Sequence, residues 1–282
     1  MPRQMPWQHP RPDNEKTWHA TRQPPVAWAP TMAIGRERAT SLGASGWRGR
    51  DVPPSCRCHP GMVWWSPHRT TGETMSLDGY DLEEAYEIHG PQEAREMYGA
   101  WAETYDESFG RAWGYIAPRE IATILRAEID PRAAILDIGA GTGLVAEHLR
   151  GLTVDAIDIT PEMLDVARPK GLYRSLRLGD LTQPLDIPDS SYDAIVSCGT
   201  FTHGHVGPEC LPELLRITRP GAVFACGTIG PVLDGAGFGS ALARLVAAGR
   251  ITPVVWRDIP IYEGAEHPHK DDRGLVMVFR KL

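Results

Sequence analysis

Cysteine is scarce in this chain: five in 282 residues, an odd number, provide no even framework of the kind that staples small secreted domains. The expected setting is therefore a reducing one, the cytoplasm. Long apolar runs are also lacking. No stretch approaches the roughly 18 consecutive apolar residues that a membrane-crossing helix needs, and no apolar signal core follows the first basic residues, so neither anchor nor export signal is expected. Beyond residue 74 cations are in the minority, 19 Lys/Arg against 31 Asp/Glu. Nucleic-acid affinity comes largely from clustered Lys and Arg, so this acidic body argues against a broad phosphate-binding face and for a small-molecule partner.

What is present divides in two. Residues 1–74 hold eleven of the 25 prolines and six of the nine tryptophans, with ten Lys/Arg against five Asp/Glu and no apolar periodicity lasting more than a turn. They are predicted to be a disordered extension. Prolines at 2, 6, 10, 12, 24, 25 and 30 would break the amphipathic helix of a transit peptide. Met75-Ser-Leu-Asp-Gly-Tyr reads as an ordinary protein start, so translation is expected to begin there and residues 75–282 to form the functional domain. Cys56-Arg57-Cys58-His59 has the look of a ligand group, but it lacks partners and falls in the extension.

From about Leu82 helical and strand patterns alternate. Helices are predicted over 83–89, 91–109 and 119–127, then strands over 134–138, 153–159, 175–178, 194–198 and 222–227. Helical or turn-rich segments at 144–150, 161–167 and 208–218 separate these strands. Short apolar strands with helical crossovers are the mark of a parallel sheet covered on both faces, so the fold class is α/β. The runs 254–262 and 275–280 have only a polar loop between them, too short for a crossover helix, and are predicted to pair as an antiparallel hairpin at the sheet edge.

The chemistry gathers at the turn after the first strand. Gly139, Gly141 and Gly143 let the backbone bend sharply and approach a ligand closely, at the carboxyl edge of the sheet where open α/β folds bind their ligands. The turn alone suits two cofactors. A dinucleotide fingerprint wants Gly-x-Gly-x-x-Gly, whereas here the spacing is Gly-x-Gly-x-Gly and Leu144 stands at the third glycine's place. Asp137 would face a pyrophosphate badly but suits a ligand carrying an ammonium group, as S-adenosylmethionine does. Asp158, 19 residues after Gly139, can accept from both ribose hydroxyls, and Asp180 from an exocyclic adenine amine, with Met163 and Leu181 offering apolar faces to the ring.

These motifs carry a resemblance. Leu136-Asp137-Ile138-Gly139-Ala140-Gly141-Thr142-Gly143, Asp158-Ile159-Thr160-Pro161-Glu162-Met163-Leu164, Gly179-Asp180-Leu181, Tyr192-Asp193-Ala194-Ile195-Val196 and Arg219-Pro220-Gly221 resemble the class I S-adenosylmethionine-dependent methyltransferases. The resemblance runs from about Tyr98 to the C-terminus and implies a Rossmann-like sheet of seven strands, the last antiparallel, with helices on both faces. More narrowly, Tyr98-x-x-Trp101-Ala102-x-x-Tyr105-Asp106 and Phe201-Thr202-His203-Gly204-His205-Val206 are similar to the methyltransferase-like group named after the Williams-Beuren syndrome chromosome region. That likeness implies an N-terminal helix lidding the cofactor, with Tyr98, Trp101 and Tyr105 at i, i+3 and i+7 packed over its methionine end, where aromatic faces suit a sulfonium.

The cofactor-binding set is thus Tyr98, Trp101, Tyr105, Asp137, Gly139, Ala140, Gly141, Gly143, Asp158, Ile159, Met163, Gly179, Asp180, Leu181 and Cys198. His203 and His205, in the loop after the fourth strand, are the candidate bases, because imidazole titrates near neutral pH; shaping the pocket is their alternative role. His-x-His can also ligate metal, and His267 with His269 makes a second such pair, but no cysteine or carboxylate cluster completes a set and no metal is expected. Cys198 and Cys210 suit small-residue packing better than nucleophilic catalysis. The expected activity is methyl transfer to a small molecule. A noncatalytic S-adenosylmethionine-binding sensor and a protein or RNA methyltransferase stay open as alternatives, and Gly235 to Gly239 with the helix expected over 242–246 are assigned to covering the acceptor pocket.

Overall fold

Proline at the first turn starts helix α1 (Pro91–Trp101), since its fixed φ suits a helix and its missing N–H is not needed there. A π-helical turn (Asp106–Arg111) and α2 (Ala117–Glu128) follow. The alternating body then runs β1 (Ala134–Ile138), α3 (Leu144–Glu147), β2 (Thr153–Asp158), α4 (Pro161–Ala167), a 3-10 turn (Arg168–Lys170) and β3 (Ser175–Leu178). After it come β4 (Tyr192–Phe201), a 3-10 turn (Pro208–Cys210), α5 (Leu211–Ile217), β5 (Thr218–Thr228), α6 (Gly230–Gly235), α7 (Phe238–Ala247), β6 (Val255–Pro260) and β7 (Arg273–Arg280). This computed structural model describes residues 90–202 and 205–282, all within the unit Arg69–Leu282. The predicted extension, the Cys56 to His59 group and the helix expected over 83–89 lie outside the described residues.

The seven strands make one sheet in the order β3-β2-β1-β4-β5-β7-β6. β1 to β5 pair in parallel, and β7 pairs antiparallel with both β5 and β6, so the expected hairpin closes one edge. Side chains on β1 alternate between two apolar layers. Leu136 and Ile138 pack with Ile195, Phe201 and Phe224 on one face, while Ile135 packs with Val145, Val196 and Leu125 on the other. A central parallel strand is covered on both faces, which is why its sequence is a nearly unbroken apolar run with one exception, Asp137, itself fully buried.

Three elements differ from expectation. The helix expected over 91–109 stops at Trp101 and the chain resumes as the π-helical turn, with the Trp101 indole N–H donating to Ser108 Oγ at 2.8 Å across the break. β4 runs on to Phe201 through a register shift at Gly199, whose φ of +87° requires glycine. Helix α7 does not cover the ligand cavity: Phe238 is fully buried against Phe201, ring centroids 5.1 Å apart, and Leu242 joins the same core layer.

Candidate functional site

The parallel strands end along one edge, and the residues just past those ends wall a cavity of about 970 Å³ including its open mouth. The turn after β1 forms its floor with Gly139, Ala140, Gly141 and Thr142. Gly139 sits at φ +61°, and a Cβ there would lie 2.1 Å from Thr200 Oγ1. Thr200 Oγ1 and Ser197 Oγ both donate to the Ile138 carbonyl, at 2.9 and 3.0 Å, so β4 clamps the turn and leaves room only for glycine.

Asp158 closes β2 with its carboxylate in the cavity wall. Its Oδ2 accepts from the Gly141 N–H at 2.7 Å and its Oδ1 from the Thr160 N–H at 2.8 Å. Burial raises its pKa, and these backbone donors work against the shift. Each oxygen keeps a second lone pair for a ligand. Past β3, Asp180 accepts the Thr182 N–H and hydroxyl on Oδ1, at 2.8 and 2.7 Å, and lines the same cavity with Gly179, Leu181, Ile159 and Met163.

Across from these acids stands the lid. Tyr98 and Tyr105 face the cavity from α1 and the segment after it, beside Pro91 and Ala94. The lid is held down by Asp106, which accepts from the Thr142 hydroxyl at 2.5 Å and pairs with Lys170, while Lys170 also reaches Glu147 at 3.0 Å. A carboxylate of the lid thus grips the glycine turn itself.

At the other end β4 brings Cys198, Gly199 and Thr200 to the wall, and the loop after it brings His205. Thr202 Oγ1 donates its one proton to the Gly199 carbonyl at 2.6 Å and therefore accepts from His205 Nδ1 at 3.1 Å. That pairing makes Nε2 of the neutral ring an acceptor, 3.2 Å from the Tyr98 hydroxyl. Cys198 Sγ lies 3.0 Å from the hydroxyl of Tyr115. Burial pushes this thiol up to about 12, which leaves it protonated and poorly nucleophilic at neutral pH.

Of the residues expected at the cofactor, Trp101, Asp137 and Gly143 do not line the cavity. The Trp101 ring turns inward, buried among Tyr105, Phe109 and Tyr262, because i+3 stands about 60° round the helix from Tyr98 whereas i+7 returns to within about 20°; it supports the lid from behind. Asp137 lies beneath the glycine turn, fully buried, with Tyr173 donating to Oδ2 at 2.7 Å and no partner on Oδ1 among the described residues. Gly143, at φ +96°, caps α3 and lies against the Tyr173 ring. His203 falls outside the described residues.

Sequence reasoning missed Tyr115, Pro118, Leu144 and Val206, which also line the cavity. Tyr115 belongs to no periodic pattern; an isolated bridge to Tyr262 places it. His267 Nε2 is 3.2 Å from the Trp113 carbonyl, and His269 Nδ1 is 3.0 Å from Asp272. Among the described residues no three of His, Cys, Asp and Glu gather as a metal site, and no helix is long and apolar enough to cross a membrane.

Comparison with known proteins agrees with this architecture. Residues 136–226 match the family described as "Methyltransferase domain". Methyltransferase-like protein 27 of Homo sapiens is 37% identical over 139 residues, covering 47% of this chain and 56% of that protein. The malonyl-[acyl-carrier protein] O-methyltransferase of Serratia marcescens is 38% identical over 101 residues, covering 35% and 39%. The chain therefore spans about half or less of the length of these curated relatives. The solved structure of the [4+2]-cyclase SpnF shares the fold, with a TM-score of 0.54 at 17% identity over 69% of this chain and 97% of that one. Residues 136–226 thus match a methyltransferase domain, and the glycine turn after β1, the acids at the ends of β2 and β3 and the 3-2-1-4-5-7-6 sheet frame the matched stretch.

Proposed function

We propose that the cavity holds S-adenosylmethionine along the ends of β1 to β3 and that the chain transfers its methyl group to a small molecule seated between the lid and the β4 loop. The observation that carries this reading is the placing of Asp158 and Asp180 in one cavity wall with the glycine turn, while Asp137 Oδ1 waits beneath that turn as a buried acceptor without a donor. Asp137 does not line the cavity, so the ammonium of the cofactor's methionine half would feel its buried negative charge from across the glycine turn. Asp158 offers acceptors to the ribose hydroxyls and Asp180 to the adenine amine, with Ile159, Met163 and Leu181 against the ring.

The bound cofactor supplies an electrophilic methyl on a sulfonium. The chain's task is to align an acceptor with that methyl and keep water out. Tyr98, Tyr105 and Tyr115 enclose the space, and their ring faces suit a neighbouring cation. His205, held with Nδ1 toward Thr202, presents Nε2 as the base for an acceptor that must lose a proton, with the Tyr98 hydroxyl beside it. The motif pair behind the narrower resemblance meets here, since His205 and Tyr98 come from its two halves. No nucleic-acid or membrane partner is part of this reading.

Affinity should depend on pH. Burial raises the Asp137 carboxyl to about 7 and nearby Asp158 adds to the shift, while the Tyr173 hydroxyl opposes it. Cys198, also close by, stays neutral. Below pH 7 an ammonium held above the turn favours loss of the Asp137 proton, so affinity for S-adenosylhomocysteine rises between pH 6 and 8, by less than about tenfold per unit. Calorimetry at pH 6 in buffers of different ionisation heat should detect the released proton; a pH-independent affinity would contradict the assignment. For the ligand-free fold the sign is opposite: the unfolded chain releases this proton near pH 4, so the group's contribution to stability falls as pH rises from about 4 to about 7.

The test of the function is incubation with isotopically labelled methyl donor and a metabolite extract. A labelled small molecule supports the reading. Label found only on macromolecules, or no label with the cofactor bound, overturns the small-molecule assignment.

A further inference from the structure

We infer that Tyr173 is a positioning residue for the methionine end of the cofactor, acting through Asp137 without touching the ligand itself. The inference rests on the proposed cofactor. Tyr173 lies between the 3-10 turn Arg168–Lys170 and β3, in a segment that none of the motifs covers.

Two contacts give it this role. Its hydroxyl donates to Asp137 Oδ2 at 2.7 Å, and the carboxylate is fully buried. With Oδ2 held, the plane of the carboxylate is fixed and Oδ1 remains the oxygen without a partner among the described residues. The ring, meanwhile, fills the space beside Gly143: a Cβ there would lie 3.2 Å from Tyr173 Cε2 and 3.4 Å from its hydroxyl oxygen. The last glycine of the turn is therefore shaped to this tyrosine. One side chain both braces the turn on which a ligand would rest and orients the acid beneath it.

The surroundings of Asp137 leave few other groups for the task. Tyr173 and Asp158 act on it directly, and the cysteines within its electrostatic reach, Cys198 and Cys226, are held neutral by burial. Tyr173 stays protonated, since burial and the facing charges of Asp137, Asp158 and Glu147 all raise its pKa well above the ordinary range. It is thus a permanent donor near neutral pH. A tyrosine retained only for packing would give its ring and not need its hydroxyl, and this difference can be measured.

The test compares S-adenosylhomocysteine with 5′-methylthioadenosine, which keeps the nucleoside and thioether and lacks the amino-acid end. In the full chain, Tyr173→Phe should weaken S-adenosylhomocysteine about tenfold and change methylthioadenosine by less than about twofold. In an Asp137→Asn background the same substitution should change S-adenosylhomocysteine affinity by less than about twofold, because the two residues act in series. Equal weakening of both ligands, loss of both, or no change in either would overturn the role. Failure of the unaltered chain to bind S-adenosylhomocysteine would instead overturn the proposed cofactor.

Discussion

Replacing His205 with glutamine should lower turnover of the acceptor found by labelling about 100- to 10,000-fold, while S-adenosylhomocysteine affinity stays within about twofold. Glutamine keeps polar reach toward Tyr98 and Thr202 but cannot take up a proton. The Thr202 contact makes a second point: Thr202→Val removes the acceptor that fixes the Nδ1–H form, so its loss of rate should track that of His205→Gln in direction and be smaller. A fall of less than tenfold in His205→Gln would leave the histidine as a pocket wall.

Replacing Asp158 with alanine should weaken S-adenosylhomocysteine by about 1.5 to 3 kcal/mol, roughly 10- to 150-fold. Two effects combine in this estimate. The carboxylate is the acceptor for the ribose hydroxyls in the proposed complex, and it also ties the Gly141 and Thr160 N–H groups together, at 2.7 and 2.8 Å, across the mouth of the turn. Calorimetry with methylthioadenosine should show the same loss, since that ligand retains the ribose. This sets Asp158 apart from Tyr173, whose effect is confined to the amino-acid end. Unchanged affinity for both ligands would remove the ribose assignment.

The central strands were legible because parallel strands buried on both faces must be apolar nearly throughout; β1 lies where the pattern puts it. The acids at strand ends were legible for a related reason, since a charge abutting such a run marks the sheet edge. Trp101 shows where this reasoning stops. An i, i+3, i+7 stripe is about 60° wide, and its flank at i+3 meets the protein interior: the Trp101 indole packs inward while Tyr98 and Tyr105, nearly in line, face the cavity. Asp137 was recognised as an acid near the ligand, yet its depth is a property of the sheet and not of its neighbours in sequence. Tyr115 and Tyr173 gave no signal at all: each is a single aromatic in a connecting segment, brought to the site by a long-range contact.

The lid follows the same logic. Asp106 looked like part of a motif, and only the fold reveals that it grips Thr142 and Lys170, joining three segments far apart in sequence. Helix α7 reads as amphipathic from sequence, which does not say whether its apolar face meets a ligand or a core; Phe238 meets the core.

The most direct test of the central claim is calorimetric titration of the full chain, in parallel, with S-adenosylhomocysteine and NAD. Saturable binding of S-adenosylhomocysteine, weakened by Asp158→Ala, with no heat from NAD, is the expected result. No binding of S-adenosylhomocysteine, or tighter binding of NAD, would contradict the assignment of the glycine turn and its three acids.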